Sequence, residues 1–337
     1  MVARDMQKIL ALTFGDRCQA SSGFRVYQFA EPLRTAGIEL DVEPVARFRD
    51  WTRARSYDVV LVQKRLLRTG RIRQLRRDAR RLVYDVDDAI WEPHGRRHSW
   101  FTRWRTRRRL QRIVRLADQC IAANEVLAAH LRAEGGRVAV LPMALDERVW
   151  QRPPPRPPAA TVRVGWAGHP VNLRYLEALE PALREVQRQS PEVEFVVFSG
   201  APPGFRELRC RHLPFASGGE REAVLGFDIG LLPLPGGAFS EGKSPIKGLQ
   251  YLACGIPCVA SPLGATCEMF RSGETALFAE DHGGWIEGIL KLVRDPVLRQ
   301  RLGQQGRGEF EARHTLGALV EPLAGLLCGT SKVIREA

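Results

Sequence analysis

Short apolar runs alternate with helix-like segments along almost the whole chain. The alternation begins with the run KILALTF, stops at a proline-rich stretch and restarts with RVGWAG. Strands that alternate with helices predict parallel sheets covered by helices on both faces. Because proline lacks an N–H and fixes φ, the stretch RPPPRPPAA at 152–160 can form neither a helix nor a central strand. The sequence therefore predicts two doubly wound α/β domains joined by a stiff linker.

The domain boundaries follow from this break. A chain of 337 residues with 44% apolar content is long enough for about two such domains. We expect a Rossmann-like domain over residues 1–152, a linker over 153–160 and a second Rossmann-like domain over 161–314. A helix over about 315–337 is expected to pack back on the first domain. The predicted strands lie in KILALTF, IELDVEPV, YDVVLVQ, RLVYDVDDAIW, QCIAAN, VAVLPMALD, RVGWAG, VEFVVFSG, FDIGLLPL and PCVASP.

Polar or glycine-containing segments follow several of these strands. In open α/β sheets, ligands bind at the carboxyl ends of the strands. The segments in that position are residues 15–25, 85–88, 165–172 and 241–247. The acidic segment 85–88 fits a Mg²⁺ or Mn²⁺ site, a role in positioning an acceptor hydroxyl, or a structural cap. His94 and His169 are candidate proton carriers, and ordinary surface histidines fit as well.

The stretch GKSPIKGLQYLACG combines a helix start, an apolar helical pattern and a helix stop. Proline suits the first helical turn and glycine suits the position after the last. We therefore expect a helix over about 245–254, with Ser244 as its cap and Gly255 as its end. The first amides of this helix, with Lys243 and Lys247 beside them, predict a site for a phosphate-bearing anion. An ordinary amphipathic helix with solvated lysines fits the same residues.

The positive charge is concentrated in the first half of the chain. Residues 1–157 carry a formal net charge of +14, and residues 158–337 carry −1. Nucleic acid, an acidic membrane surface or a phosphorylated acceptor each fits this charge. No nucleic-acid motif accompanies it, so we expect no nucleic-acid partner.

One arginine-rich segment favours the membrane surface among these partners. HGRRHSWFTRWRTRRRLQRIVRLAD mixes arginine with aromatic side chains, a composition that suits an anionic bilayer. A solvated basic helix is the alternative. The expected membrane or acceptor contacts are Trp100, Phe101, Trp104, Arg107 and Arg108.

Several features bear on the compartment. No run approaches the roughly 18 to 20 apolar residues that a membrane helix needs, and the start MVARDMQKILALTF lacks a convincing signal peptide. The seven cysteines are scattered, without the paired spacing of a zinc site. We expect a cytoplasmic protein with reduced, mostly buried thiols, and the inner face of the membrane is a candidate peripheral location.

The segment FDIGLLPLPGGAFSEGKSPIKGLQYLACGIPCVASPLGATCEMFRSGETALFAED resembles the C-terminal signature of retaining GT-B glycosyltransferases of family 4, also called glycosyltransferases group 1. RLGQQGRGEF continues the resemblance, and YDVVLVQKRLL and LVYDVDDAIW resemble the N-terminal part of a subgroup. This subgroup has a KSPxK…LQY donor-site helix.

The resemblance implies two Rossmann-like domains that face a central cleft. It also implies retaining transfer of a sugar from a nucleotide-diphosphate-sugar donor to an acceptor hydroxyl, in cell-surface glycan or glycoconjugate synthesis. The implied acceptor is a glycan or a lipid-linked molecule. No cofactor is implied and no metal is required, because GT-B enzymes stabilise the leaving diphosphate with basic groups and helix dipoles.

Two positions depart from the family pattern. The family carries two glutamates eight positions apart, of which the first contacts the transferred sugar and the second the donor ribose. Alignment on residues 253–255 places Gly242, beside Glu241, at the first position and Gln250 at the second. An amide at 250 can still donate to and accept from ribose hydroxyls, without the charge of a carboxylate.

The resemblance divides the remaining residues between catalysis and donor binding. Lys243 and Lys247 are expected to stabilise the departing diphosphate, and Asp87 and Asp88 to position the acceptor hydroxyl. No protein nucleophile is implied, because the leaving phosphate is thought to assist the incoming hydroxyl in this family. The expected donor-binding residues are Gly23, Arg25, Gly165, Gly168, His169, Glu241, Gly242, Ser244, Pro245, Ile246 and Gln250.

Two other functions stay open. The absence of the first family glutamate favours an inactive GT-B homologue that acts as a carbohydrate-binding or complex subunit. The basic first half favours a peripheral protein whose chief partner is an anionic membrane or nucleic acid. Epimerisation of a nucleotide sugar on the same fold fits the matched segments less well.

Overall fold

The computed structural model describes residues 6–92, 99–151, 160–215 and 219–330. These residues fall into two units. Unit 1 contains the described residues up to Asp146, residues 241–244 and the segment from Arg313 onward. Unit 2 contains residues 147–240 and 245–312. His94, residues 153–159 of the predicted linker and residues 331–337 of the predicted last helix lie outside the described residues.

Unit 1 is built on a six-stranded parallel sheet. Its strands are β1 (Gln7–Thr13), β2 (Ile38–Pro44), β3 (Val59–Gln63), β4 (Arg81–Val86), β5 (Gln119–Ala122) and β6 (Val138–Val140). They pair in the order β2-β1-β3-β4-β5-β6. The helices between them are α1 (Ala20–Arg25), α2 (Ala30–Thr35), α3 (Thr69–Asp78), α4 (Trp100–Leu116) and α5 (Glu125–Ala133).

The central strands of this sheet are buried on both faces. The four residues from Ile9 to Leu12 have no exposed surface, and all five residues of β3 are buried. Ile9 lies beside Val59 in the register of β1 and β3. Continuous apolar runs are therefore required here instead of an alternation of apolar and polar residues, as in parallel sheets generally.

Unit 2 repeats the architecture with a second six-stranded parallel sheet. Its strands are β7 (Val162–Ala167), β8 (Val193–Ser199), β9 (Cys210–Pro214), β10 (Ile229–Leu232), β11 (Cys258–Ala260) and β12 (Leu277–Phe278). They pair in the order β12-β11-β10-β7-β8-β9. The helices are α6 (Leu173–Glu177), α7 (Glu180–Gln189), α8 (Glu220–Leu225), α9 (Ala238–Glu241), α10 (Ile246–Cys254), α11 (Ala265–Met269), α12 (His282–Arg294) and α13 (Pro296–Arg313).

The last helix, α14 (Leu316–Cys328), belongs to unit 1. Its buried leucines join the core that contains Ile9 and Leu33. Arg81 at the start of β4 donates from Nε to the carbonyl of Leu327, at 2.7 Å. The core of unit 1 is thus assembled from the two ends of the described chain.

The predicted doubly wound α/β fold is confirmed. Two short strands, β9 and β12, were not predicted. Fewer cysteines are buried than expected: Cys120, Cys254 and Cys258 are buried, whereas Cys18 and Cys267 are exposed on a loop and a short helix. Within the described ranges, no helix is long and apolar enough to cross a bilayer.

Candidate functional site

Two segments of unit 2 leave the sheet where its strand order reverses. β7 is the first strand of this unit in sequence and lies between β8 and β10. Residues 168–172 follow β7 and residues 233–240 follow β10, so both begin at the carboxyl ends of neighbouring strands. Ligands of open α/β sheets bind at this reversal. We therefore place the candidate site of unit 2 here.

The first turn of α10 packs at the end of β10. A Cβ on Gly248 would lie 3.0 Å from Leu232, the last residue of that strand. The helix begins one residue later than predicted, because Pro245 is the N-cap residue and Ile246 the first helical one. Its C-terminal end agrees with the prediction, since Gly255 adopts φ 66° in the left-handed region that glycine favours.

Ser244 does not cap α10, contrary to the prediction. The N-cap position is taken by Pro245, and no side chain caps the helix. The Ser244 Oγ accepts a hydrogen bond of 3.0 Å from the Asn124 amide, which also donates to the Gly242 carbonyl at 3.2 Å. Asn124 therefore holds the segment 241–244 within unit 1. The first backbone amides of α10 receive no hydrogen bond from a capping side chain.

Lys247 and Gln250 meet at one carboxylate. The Lys247 ammonium forms an ion pair with Glu220, the first residue of α8. The Gln250 Nε2 donates to the other oxygen of Glu220, at 3.0 Å. Gln250 is fully buried, because it packs on the inner side of α10.

The Lys247 ammonium is poorly solvated. Its side chain is 21% exposed, and burial lowers its pKa to about 8. The adjacent Glu220 carboxylate acts in the opposite direction and favours the charged ammonium. Lys247 is therefore a partly desolvated cation paired with one carboxylate, in contrast to the solvated lysine of the alternative interpretation.

The predicted donor-binding residues after β7 have different surroundings. A Cβ at Gly165 would lie 2.1 Å from the Phe227 ring, so this glycine serves the packing of β7 against its neighbour. Gly168 similarly accommodates the Trp166 ring, at 2.4 Å. His169 is exposed at the reversal, and its Nδ1 accepts from the Val171 amide at 3.3 Å.

Gly242, at the first family glutamate position, has no room for a side chain. A Cβ there would lie 2.8 Å from Leu127 and 3.0 Å from Ala89. The neighbouring Glu241 is half-buried at the end of α9. Leu127 and Ala89, which belong to the same unit as Gly242, thus crowd this position.

A polar cluster follows β1, β3 and β4 in unit 1. Lys64, directly after β3, contacts Asp87 at 3.2 Å and forms a closer ion pair with Asp88. Ser21 donates to Asp87 Oδ2 at 2.5 Å, and Gln63 Nε2 donates to Ser21 at 2.8 Å. The sheet order of unit 1 reverses between β1 and β3, so this cluster also lies at a ligand-binding position of the fold.

The electrostatics of this cluster include Lys243. Burial and the neighbouring Asp87 raise the pKa of Asp88, against the opposing effects of Lys64 and Lys243. Burial lowers the pKa of Lys243, against the attraction of Asp88. Lys243 thus belongs to the unit 1 cluster, whereas Lys247 belongs to unit 2. No group of three or more His, Cys, Asp or Glu side chains in the described chain is placed to hold a metal ion.

Arg25 is committed to internal contacts. It donates from Nε to Asp85 Oδ2 at 3.2 Å and forms a second, closer bond to Asp85 Oδ1. It also donates to the carbonyls of Leu141 and Pro142, at 2.7 and 3.1 Å. Because the guanidinium is buried by these partners, it holds α1 against the strand ends and does not present donors to a ligand. A Cβ at Gly23, in the same helix, would lie 2.8 Å from the Arg17 carbonyl oxygen, so a side chain here would clash with the backbone of the preceding loop.

The aromatic side chains at the start of α4 are exposed. Trp100, Phe101 and Trp104 have 79%, 49% and 47% of their surface accessible. The Arg108 guanidinium stacks over the Trp104 ring at 4.6 Å. Arg107, predicted for the same surface, is instead ion-paired with Glu134 at 3.2 Å.

Sequence reasoning missed several polar residues of these sites. They are Ser21, Gln63, Lys64, Asn124 and Glu220. Lys64 was detectable in part, because it directly follows a predicted strand as the other candidates do. It is also the one non-glycine residue of the described chain with positive φ, at 58°. Glu220 carried no such signal, since its partner helix lies 26 residues further along the chain.

Comparison with known proteins gives a family match and several related folds. Residues 174–324, somewhat under half of the chain, match the family described as glycosyl transferase-like. A curated relative, the N-acetyl-α-D-glucosaminyl L-malate synthase of Bacillus anthracis, is 30% identical over 61 residues. That match spans 18% of this chain and only 16% of the relative.

Solved structures resemble the whole chain. Sucrose-phosphate synthase of Thermosynechococcus elongatus has a TM-score of 0.74 at 16% identity, over 95% of this chain and 98% of its own. HepE of Anabaena has been solved with UDP and with UDP-glucose. Its UDP complex has a TM-score of 0.68 at 15% identity, over 96% of this chain and 100% of its own. A UDP-N-acetylglucosamine 2-epimerase-like protein of Listeria monocytogenes has a TM-score of 0.58 at 13% identity, over 98% of this chain and 99% of its own. The chain therefore has the two-domain α/β GT-B fold, and the family match supports a glycosyltransferase enzyme.

Proposed function

We propose that the protein transfers a sugar from a nucleotide-diphosphate-sugar donor to an acceptor hydroxyl. The observation that carries this proposal is the partly desolvated Lys247 in the first turn of α10, at the strand-order reversal of unit 2. A departing nucleoside diphosphate develops negative charge, and a preorganised cation in a poorly solvated site stabilises that charge. The glycosyl transferase-like match over residues 174–324 favours transfer over epimerisation.

The donor is proposed to be held by unit 2. The α10 helix has nine residues and no side-chain cap, so its first amides are available to an anion. The proposed cation of this site is Lys247. Lys243, the other lysine expected to stabilise the diphosphate, belongs to the polar cluster of unit 1. We propose that these groups act without a metal ion. The complexes of HepE with UDP and UDP-glucose support a nucleoside diphosphate donor.

The acceptor hydroxyl is proposed to meet the polar cluster of unit 1. Asp87 and Asp88 are fixed there by Lys64 and Ser21, which is the arrangement expected of groups that orient a hydroxyl. Retention of the anomeric configuration and a role in cell-surface glycan synthesis are proposed from the resemblance of the residue 227–281 segment to family 4. Proton NMR of the product anomeric centre distinguishes retention from inversion.

The experiment that tests the proposed function is calorimetric titration of the full chain with UDP, GDP, ADP and dTDP, first without metal and then with Mg²⁺. We expect one nucleotide to bind without metal, and its sugar derivatives then define the donor screen. A nucleotide that binds but whose sugar derivatives are neither transferred nor hydrolysed would indicate the inactive carbohydrate-binding homologue. Absence of binding by all four nucleotides would contradict the proposal.

The exposed aromatic surface of α4 is proposed to contact an anionic bilayer, where a lipid-linked acceptor would be reached at the inner face of the membrane. Stacked arginines such as Arg108 supply charge beside the exposed Trp104 ring. We expect binding to phosphatidylglycerol-containing vesicles to fall with added salt and to be lost in Trp100→Ala with Trp104→Ala. Val297→Ala, which removes an equally exposed apolar side chain of unit 2, is the matched control. Vesicle sedimentation measures the binding of the native chain, the double tryptophan variant and the control. Equal binding by all three would exclude this surface as the membrane contact.

A further inference from the structure

Phe14 and Arg65 form a cation–aromatic pair at the strand reversal of unit 1. Phe14 directly follows β1, and Arg65 lies two residues after β3, the neighbouring strand. The guanidinium carbon of Arg65 lies 4.6 Å from the centroid of the Phe14 ring, and the Lys64 ammonium lies 5.8 Å from the same centroid. The Phe14 amide donates to Gln63 Oε1 at 2.9 Å. The ring is therefore fixed between two strand ends, where open α/β sheets bind ligands.

Arg65 is a cation without an anionic partner in the part of the chain that the structure describes. Its side chain is half-buried and forms neither a hydrogen bond nor an ion pair there. Nε is enclosed by protein and has no hydrogen-bond partner, whereas Nη1 and Nη2 stay accessible. The outer edge of the guanidinium therefore faces solvent, and its inner edge is held over the Phe14 ring.

The acids at the same strand ends are bound by other cations. Three carboxylates lie at or just after the end of β4, and each pairs with a cation other than Arg65: they are Asp85, Asp87 and Asp88. Asp16, in the loop after β1, faces Arg47 at 3.9 Å. The positive charge of Arg65 is therefore left for a group that the protein does not supply.

The chemistry of a guanidinium defines that group. Arginine stays charged at every physiological pH, and partial burial removes some of the water that would otherwise solvate the charge. Its outer edge presents parallel N–H donors, which match the paired oxygens of a carboxylate or a phosphate. The contact with the Phe14 ring fixes the plane of these donors before a ligand arrives.

We infer that the acceptor carries an anionic group, a carboxylate or a phosphate, that binds the outer edge of Arg65. This inference rests on the proposed function and adds a substrate class, an acidic acceptor whose hydroxyl meets Asp87 and Asp88. Lys64 contacts both aspartates and the Phe14 ring, so it lies between the two parts of the site. Its charge offsets part of the repulsion between the anion and the aspartates.

Two other roles of Arg65 make different predictions. If Arg65 only covers the Phe14 ring, no anion binds and its replacement leaves ligand affinities unchanged. If Arg65 instead binds the diphosphate of the donor, its replacement lowers nucleotide affinity. An acidic acceptor requires that anion affinity falls while nucleotide affinity stays the same.

The test is NMR titration of the full chain with inorganic phosphate, glucuronate and glucose. The nucleoside diphosphate identified by calorimetry is kept at saturation, so that the proposed donor site is filled. We expect the native chain to bind at least one of the two anions more tightly than glucose, and the preferred anion distinguishes phosphate from carboxylate. In Arg65→Gln the affinity for that anion is expected to fall about tenfold or more, because a charge-assisted hydrogen bond is lost. Its nucleotide affinity, measured by calorimetry, is expected to equal that of the native chain.

Arg53→Gln is the matched control. Arg53 lies over the Phe48 ring at 5.4 Å in the same unit, but it is already ion-paired with Glu43 at 2.9 Å. We expect this variant to keep the native anion affinity, and thermal unfolding followed by circular dichroism checks that both variants fold.

Three results would overturn the inference: a native chain that binds neither anion, an Arg65→Gln variant with native anion affinity, or an equal fall in its nucleotide affinity. Failure of every nucleotide to bind the native chain would instead contradict the proposed function. The comparison of Arg65→Gln with the native chain, repeated without nucleotide, would still decide whether Arg65 binds an anion.

Discussion

Lys247→Ala is expected to lower kcat for sugar transfer by about a hundredfold or more, the usual cost of removing one group that stabilises transition-state charge. Only 21% of the Lys247 side chain is exposed, and its ammonium is fixed by Glu220. The loss should appear in kcat and in affinity for the nucleoside diphosphate product. Initial rates with the donor identified by calorimetry measure it.

Lys291→Ala is the matched control for this prediction, since Lys291 is an exposed lysine of α12 in the same unit. Activity equal to the native level in Lys247→Ala would exclude the proposed role. The pH dependence provides an independent check. The ammonium is present below its pKa of about 8 and is lost as the pH rises through it, so diphosphate affinity should fall above about pH 8. Lys247→Arg, whose guanidinium stays charged, should not show this fall.

Arg25→Ala is expected to lower the free energy of unfolding of unit 1 by about 3–5 kcal/mol, because it leaves the Asp85 carboxylate buried without its partner. The two side chains are only 2% and 5% exposed. Since the chain has two units, a single transition is not assumed. Urea unfolding monitored by amide hydrogen exchange resolves the change in β1 and β4 from that in unit 2.

The control for the Arg25 prediction is Arg34→Ala, which removes an arginine from an exposed ion pair with Glu31. Exposed pairs of this kind contribute about 0–1 kcal/mol, so this variant should unfold nearly as the native chain does. Adding Asp85→Ala to Arg25→Ala removes the unpaired charge and should recover part of the loss. Equal stability of Arg25→Ala and Arg34→Ala would show that the Asp85 pair has no net stabilising role.

The sequence predicted those features that depend on neighbours along the chain. The alternation of strands and helices, the end of α10 at Gly255 and the position of Lys247 after β10 all follow from local patterns. Contacts between distant segments were not predictable. Glu220 meets Lys247 only because α8 packs beside α10, and Ser244 accepts a hydrogen bond from Asn124, which follows a strand far earlier in the chain.

Contacts between distant segments also decide which of the predicted residues are buried. Arg25 was predicted to contact a donor, yet its side chain is bound to Asp85 inside unit 1. Gly165 was predicted to follow a strand, but it lies within β7, where the Phe227 ring packs against it. Neither the Asp85 partner nor the Phe227 ring can be assigned to these positions without the tertiary structure. Spacing along the chain therefore predicted where strands and helices lie, and packing decided which of the nearby side chains are exposed.

The return of α14 to unit 1 has a consequence for biosynthesis. A ribosome releases the strands of unit 1 first, but the leucines that complete their core, such as Leu319 and Leu323, emerge only after all of unit 2. Until then an apolar face of the nascent sheet stays uncovered, and such surfaces are prone to aggregation. The usual vectorial order is therefore reversed here: the unit that starts translation first is the last to finish folding, and unit 2 can finish before it.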